Sequence, residues 1–105
     1  MNRSIVEKIE GWNEDIVCSR DGYGIKTNVP RRIKKHSPDG FEWGYGGSGP
    51  SDFALNILSI FVGQEIAENY YQEFKFEIIA ALPHEGGVIK QEKILMWLKE
   101  RGAVS

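Results

Sequence analysis

The sequence predicts an α+β fold in which a small antiparallel sheet from the N-terminal half packs against two to three C-terminal helices. Two observations carry this prediction. Before residue 30, β-branched residues surround an Asp-Gly dipeptide, whereas after residue 50 apolar residues recur at helical spacing. At 105 residues and 41% hydrophobic content the chain has the size of one domain. We divide it into strands over 1–29, an ordered loop rich in Gly, aromatic and basic residues over 30–51, and helices over 52–101.

The strands are expected at the start of the chain. Residues 15–20 form a β-branched run, and the dipeptide at 21–22 is typical of a hairpin turn, so residues 23–27 are predicted as the returning strand. Apolar residues between Ile5 and Trp12 predict an opening strand, with a short helix as the alternative. No regular element is predicted between Asn28 and Pro50.

The first helix is predicted to begin at Ser51, a good N-cap residue, with Asp52 in its first turn. Beyond them the segment is apolar except at Asn56 and Ser59. So narrow a polar stripe predicts a helix that is buried around most of its circumference. Gly63 is predicted to end or kink the helix.

Two further helices are predicted. The second spans 64–82, where apolar residues fall at three- and four-residue spacing, and Pro83 stops it. Residues 84–87 are predicted as a turn. The third helix spans 91–101 and is amphipathic, with Gly102 as the residue that follows its C-terminus.

Composition narrows the classes of function. The net charge of −2 argues against a dedicated duplex-DNA binder, and no apolar run reaches the ~20 residues of a membrane span. The first ten residues contain acids and no sustained apolar run, unlike a secretory signal, and the single Cys18 fits a reducing cytoplasm. We therefore expect a cytoplasmic protein that needs no membrane.

The glycine-rich loop is the main candidate site because it leads directly into a predicted helix N-terminus. Such a terminus offers free N–H groups and a partial positive charge to a phosphate or carboxylate. The loop lacks the lysine of a P-loop and the strand that precedes a dinucleotide fingerprint. The alternative is that its glycines only allow one chain segment to cross another closely, with the aromatic residues as lids on the core.

A basic cluster, Arg31-Arg32-Ile33-Lys34-Lys35-His36, precedes the loop. Cations followed by aromatic rings suit a ligand that carries phosphate and a base, and nucleic acid is a less favoured ligand of the same chemistry. The candidate ligand-binding residues are Trp43, Gly44, Tyr45, Gly46, Gly47, Ser48, Gly49, Ser51, Arg31, Arg32 and His36. In this hypothesis Trp43 and Tyr45 stack on the base while the two arginines neutralise charge.

Catalytic and metal-binding patterns are poor. Cys18 lies inside a predicted strand, and the two histidines are far apart in sequence. Glu42 and Asp52 flank the loop and could pair for acid–base chemistry, but they are more simply a turn residue and a helix cap. We therefore expect a non-enzymatic protein with no metal and no cofactor.

Residues 37–50 read Ser-Pro-x-Gly-Phe-x-Trp-Gly-Tyr-Gly-Gly-Ser-Gly-Pro. This motif resembles the signature of a small domain-of-unknown-function family of bacteria and their phages, the one numbered 6166. The resemblance continues through Tyr71-x-x-Phe74-Lys75 and Ile94-x-x-Trp97-Leu98, and it covers about residues 30–98. It implies a setting among the small cytoplasmic proteins of phages and mobile elements, which often act by binding.

The resulting expectation is a counter-defence factor that sequesters a nucleotide-like anion at the glycine-rich loop. The alternative is an inhibitor that blocks a host defence protein, in the manner of an anti-CRISPR protein. A nucleic-acid-binding module and a nucleotide-processing enzyme are less favoured. We also expect a homodimer, because a single small core often completes its burial by association.

Overall fold

A computed structural model describes residues 5–104 of the chain. It confirms the predicted α+β fold, with a three-stranded antiparallel sheet whose central strand is the first in the chain, and with helices packed beside it. In the described part of the chain, no helix combines the length and apolar character that crossing a membrane requires.

The predicted hairpin is confirmed. Strand β1 (Ile16–Asp21) pairs with β2 (Gly24–Thr27), with Cys18 opposite Thr27 and Asp21 opposite Gly24. Its residues alternate between the core and the outside at Ile16, Val17 and Cys18, as a half-buried strand should.

The third strand was not predicted. Strand β3 (Gly86–Ile89) pairs with the other edge of β1, with Ile16 opposite Ile89, so the turn prediction for 84–87 is wrong at its last two residues. Gly86 has φ +106°, and a Cβ placed there would overlap the carbonyl oxygen of Cys18. The glycine is therefore needed for close approach of two strands rather than for a turn.

The opening strand predicted between Ile5 and Trp12 is wrong, since this segment is irregular, and the part of the predicted strand region over residues 1–4 lies outside the described residues. The segment instead caps a break in the long helix. The Ile9 N–H donates to the Ile60 carbonyl (2.9 Å), and the Gln64 N–H donates to the Val6 carbonyl (2.8 Å). These groups are available because Gly63, at φ +80°, interrupts the helical hydrogen bonds.

Helix α1 (Ser48–Ala67) forms the centre of the molecule and is kinked at Gly63, as predicted. Its N-cap is Gly47, so the prediction of Ser51 as N-cap is wrong. Ser51 lies in the first turn, where both its N–H and its Oγ donate to the Gly47 carbonyl at 3.1 Å. The glycines that were expected to precede the helix therefore form its start.

The predicted second helix is broken. Helix α1 continues to Ala67, and a turn separates it from α2 (Tyr71–Phe74), which passes into a π-helical turn, Lys75–Ile79. Hydrogen bonds from residue i to residue i−3, such as that from the Tyr70 N–H to the Ala67 carbonyl (3.0 Å), close the turn. Periodicity alone could not locate the change of direction, because apolar residues continue at helical spacing across it.

The third helix is confirmed as α3 (Gln91–Glu100), with Ile94, Trp97 and Leu98 buried. Gly102 follows it in the left-handed region, at φ +77°. The Ala103 N–H then donates to the Leu98 carbonyl at 2.9 Å, as in a Schellman-type C-cap.

The polar stripe of α1 is buried and holds the preceding loop. The Asp52 carboxylate accepts hydrogen bonds from the N–H groups of residues 35, 36 and 37 at 2.9–3.2 Å. Asn56 accepts from the N–H groups of Arg32 (2.8 Å) and Ile33 (2.9 Å) and donates to the Ile33 carbonyl (2.9 Å). The loop is ordered although it has no regular structure, because the helix satisfies its backbone groups.

Candidate anion-binding site

The glycine-rich loop lies across the end of the π-helical turn before it enters α1. The Gly44 N–H donates to the Ile79 carbonyl at 3.0 Å, and Gly44 has φ +88°. A Cβ at Gly44 would lie 3.3 Å from the Leu82 carbonyl oxygen. The loop therefore brings the start of α1 beside the π-helical turn.

Lys75, the first residue of that turn, is the most unusual side chain at this junction. It is buried, with 5% exposure, and its Nζ lies 3.2 Å from the Gly46 carbonyl oxygen and 3.2 Å from Ser51 Oγ. Within residues 5–104 it forms no salt bridge. Among residues 5–104, the hydrogen-bond partners of this buried ammonium group are thus two neutral oxygen atoms.

The start of α1 adds to this positive charge. No side chain caps the helix, and its first turn contains no acidic residue. The unpaired N–H groups and the aligned peptide dipoles give a long helix a partial positive charge at this end. Ser48, the first helical residue, is exposed. The helix dipole and the Lys75 ammonium group therefore act in the same direction.

Two exposed aromatic rings flank the loop. Tyr45 is 52% exposed and Phe76 is 62% exposed. A Cβ at Gly46 would lie 2.9 Å from the Phe76 ring, and one at Gly47 would overlap the Tyr45 ring. The Lys75 Nζ lies 4.0 Å from the centroid of the Phe76 ring. Both rings thus lie against the glycine backbone, and the Phe76 ring also contacts the buried cation.

Trp43 lies elsewhere. It is 1% exposed, its ring packs 5.7 Å from that of Phe53, and its Nε1 donates to the His84 carbonyl at 3.1 Å. The structure thus places Trp43 in the core, as the alternative reading of the loop expected, where it has no face for a base. Of the two rings that the stacking hypothesis invoked, only Tyr45 is exposed.

The predicted basic residues are not gathered at the loop. The Arg32 guanidinium donates to Ser59 Oγ (2.9 Å) and to the Glu7 carbonyl (2.6 Å). Ser59 follows Ser48 by eleven residues, or about 16 Å of helix. Burial lowers the pKa of Arg32. This arginine therefore fastens the N-terminal segment to the middle of α1.

Arg31 and His36 have separate contacts. Arg31 donates to the Ser37 carbonyl at 2.6 Å and borders a cleft beside the hairpin. The His36 ring Nε2 forms a 2.6 Å hydrogen bond with the Tyr71 hydroxyl, while its backbone N–H binds Asp52. His36 is thus near the first turns of α1, whereas the Arg31 guanidinium contacts Ser37 and borders the cleft.

A partly buried ion pair fixes the loop on its other side. Arg20 binds both carboxylate oxygens of Glu42, at 2.9 and 3.1 Å, and its guanidinium lies 4.4 Å from the centroid of the Trp43 ring. The hydrogen bonds from Arg20 hold the pKa of Glu42 below its usual range. Glu42, which the sequence offered as a turn residue or an acid–base group, therefore serves as the partner of a strand arginine.

Sequence reasoning missed Lys75 and its contact with the loop. A signal was present, because this lysine directly follows Phe74 within a helical segment whose apolar residues are buried. The described residues contain no cluster of three or more His, Cys, Asp or Glu side chains that could hold a metal ion.

The fold and the site together define a small α+β domain with an uncapped helix start above a buried lysine. The family model of a family of unknown function, DUF6166, matches residues 9–100, so the chain belongs to that family and the predicted resemblance is confirmed. No curated protein and no solved structure matches the chain.

Proposed function

We propose that this protein is a non-enzymatic binding protein that holds the anionic group of a nucleotide-like ligand at the start of α1. The observation that carries the proposal is the buried Lys75 ammonium group, which has no carboxylate partner among the described residues. The anionic group would contact the backbone of Gly46, Gly47 and Ser48, and the base would stack on Tyr45 and Phe76.

The energetic argument concerns charge. Removing an ammonium group from water costs several kcal/mol, on the order of the penalty for any buried ion, and two neutral acceptors return only part of it. The positive end of α1 makes the local environment less favourable still for a cation. A phosphate or carboxylate placed at this end would interact favourably with both charges.

The aromatic rings supply the reason for a nucleotide-like ligand rather than a simple ion. An exposed ring beside a cationic site offers a face on which a base can stack, a contact worth about 1–3 kcal/mol. Tyr45 and Phe76 lie on the two glycines nearest the cation. Given the phage setting that the resemblance implies, sequestration of a nucleotide signal of host defence is the biological role that we propose.

A second function is favoured by the exposure of the same two rings. Aromatic side chains that protrude beside a cation are typical anchors of protein interfaces, and an acidic side chain of a partner would also complement Lys75. In this alternative the protein inhibits a host defence protein. Both functions require Lys75, but only the first requires a small ligand.

The first experiment is native mass spectrometry of protein purified from bacterial cells, compared with a denatured sample. A retained ligand adds a few hundred daltons in the native spectrum, on the order of a nucleotide's mass, and absorbs near 260 nm after release. The Lys75→Met variant should lose this excess mass, whereas Lys93→Met on the exposed surface of α3 should keep it. The same spectrum tests the expected homodimer.

A weaker ligand calls for titration of ¹⁵N-labelled protein with AMP and, separately, with pyrophosphate. The proposal expects saturable shifts at the amides of Ser48 and Gly49 that Lys75→Met reduces. AMP should additionally shift the aromatic protons of Tyr45 and Phe76. Absence of both effects would contradict the nucleotide proposal, and capture of a host protein that Tyr45→Ala and Phe76→Ala abolish would then establish the inhibitor alternative.

A further inference from the structure

A second region of the molecule has unused binding capacity. A cleft of about 800 Å³ lies between the β1–β2 hairpin and the loop over residues 29–42. Its apolar wall is formed by Ile25, Val29 and Phe41, and charged side chains of both signs surround it. The volume is within the range of small-molecule sites in proteins, which is about 300–1,000 Å³.

Most of the charges in this cleft neutralise one another. Arg20 is paired with Glu42 at 2.9 Å, and Lys26 is paired with Asp21 at 2.9 Å. One cation and one anion remain, namely Arg31 and Asp39. Neither takes part in a salt bridge among residues 5–104.

Some N–H groups of the Arg31 guanidinium have no hydrogen-bond acceptor among residues 5–104. One of its terminal nitrogens donates to the Ser37 carbonyl, but its Nε is buried and has no hydrogen-bond partner. Its other terminal nitrogen, Nη1, also has no hydrogen-bond partner among residues 5–104, and because this atom is not buried it can donate to an acceptor in the cleft. A carboxylate is the acceptor that the guanidinium fork matches best.

Asp39 defines the other end of the ligand. It is exposed and borders the cleft, and within the described residues its carboxylate has no hydrogen-bond partner. A ligand bearing only negative charge would be repelled by this carboxylate. We propose that the cleft binds a zwitterionic small molecule of the amino-acid or short-peptide class, with its carboxylate on Arg31, its ammonium group near Asp39 and an apolar side chain against Phe41.

This site is separate from the one at the start of α1. Its function does not depend on Lys75, and a zwitterion differs in charge from a nucleotide. The two proposals can therefore succeed or fail independently, and the Lys75→Met variant should leave binding in the cleft unchanged.

The test is a titration of ¹⁵N-labelled protein with the twenty free amino acids and then with dipeptides of apolar residues. The Nε–H group of Arg31 gives its own signal and is a direct probe. At least one of these compounds should shift it saturably, with a dissociation constant at or below about 1 mM, a weak affinity suited to a small open site. The Nε–H of Arg101, which follows α3 and does not border the cleft, serves as an internal reference.

Variants assign the two ends of the ligand. Arg31→Gln and Asp39→Asn should each weaken binding at least tenfold, whereas Lys34→Gln, an exposed cation in the same loop, should not. The N-acetylated form of the best ligand should bind at least tenfold more weakly than the free form, because it lacks the ammonium group. Absence of any Arg31 shift at 10 mM of every compound, or equal binding of the acetylated and free forms, would overturn the proposal.

Discussion

The buried polar stripe of α1 leads to a prediction about stability, tested by Asn56→Leu. Leucine has a similar size, but it cannot replace the bonds that Asn56 forms with the N–H groups of Arg32 and Ile33 and with the Ile33 carbonyl. The N–H and carbonyl groups of Ile33 would lose their partners, whereas the Arg32 N–H would keep its bond to the Pro30 carbonyl (3.1 Å), and each buried group left unsatisfied costs about 1–3 kcal/mol. After allowing for the gain from burying leucine, we expect a loss of about 2–4 kcal/mol in the free energy of unfolding.

A domain of this size has a total stability of about 5–15 kcal/mol, so the loss should be evident in urea denaturation. The control is Ser59→Ala in the same stripe, which leaves those backbone groups satisfied and should cost about 1 kcal/mol. Hydrogen exchange should show that the amide of Ile33 loses protection in Asn56→Leu only. A loss below 1 kcal/mol, or unchanged protection, would refute the inference that α1 organises the loop.

Three further outcomes follow from the same structure. The pKa of the Glu42 carboxylate is lower in the folded protein than in the unfolded chain. The bonds between Glu42 and Arg20 therefore stabilise the fold above the unfolded pKa of about 4.3, and this stability is lost as the pH falls through the folded pKa. Urea denaturation of Glu42→Gln should thus show a deficit at pH 7 that shrinks below about pH 4, and a deficit independent of pH would contradict this. The Gly86→Ala variant should be unfolded at 37 °C, because the new Cβ would overlap strand β1. Circular dichroism measures this, and a native-like melting curve would show that the strands can separate there. Gly47→Val should displace the Tyr45 ring and abolish anion binding while the thermal midpoint stays within a few degrees, roughly the effect of 1 kcal/mol, and retained binding would contradict the proposed site.

The parts of the fold that the sequence predicts are those specified by neighbouring residues. The Asp21-Gly22 turn lies between two β-branched runs, and α3 has a regular apolar period followed by Gly102, so both elements appear where they were expected. Strand β3 depends instead on pairing with β1, about 70 residues earlier in the chain. Its Gly86 resembles a turn residue until the partner strand is known.

The sequence predicts less of the site than of the fold, because contacts of the site also join residues that are far apart in the chain. The motif located the start of α1 within a few residues and selected Tyr45 correctly as an exposed ring. It could not show that Trp43 packs into the core, because loop aromatics have the same sequence pattern whether buried or exposed. Nor could it show that Lys75 reaches Ser51, since that contact joins residues separated by 24 positions.

The glycines of the loop are only partly explained by the fold. Gly44 needs its positive φ, and a Cβ at Gly49 would lie 2.8 Å from the Glu42 side chain beside that residue's backbone, so these two glycines are required for packing. Gly46 and Gly47 are different, because the neighbours that a Cβ would meet are the ring atoms of exposed aromatic side chains, which are free to rotate. The close crossing of chain segments therefore explains Gly44 and Gly49, but it does not require a glycine at positions 46 and 47. The anion binding that we propose would require close access to the backbone at Gly46 and Gly47, which is why Gly47→Val and Lys75→Met are the variants that test the proposed function.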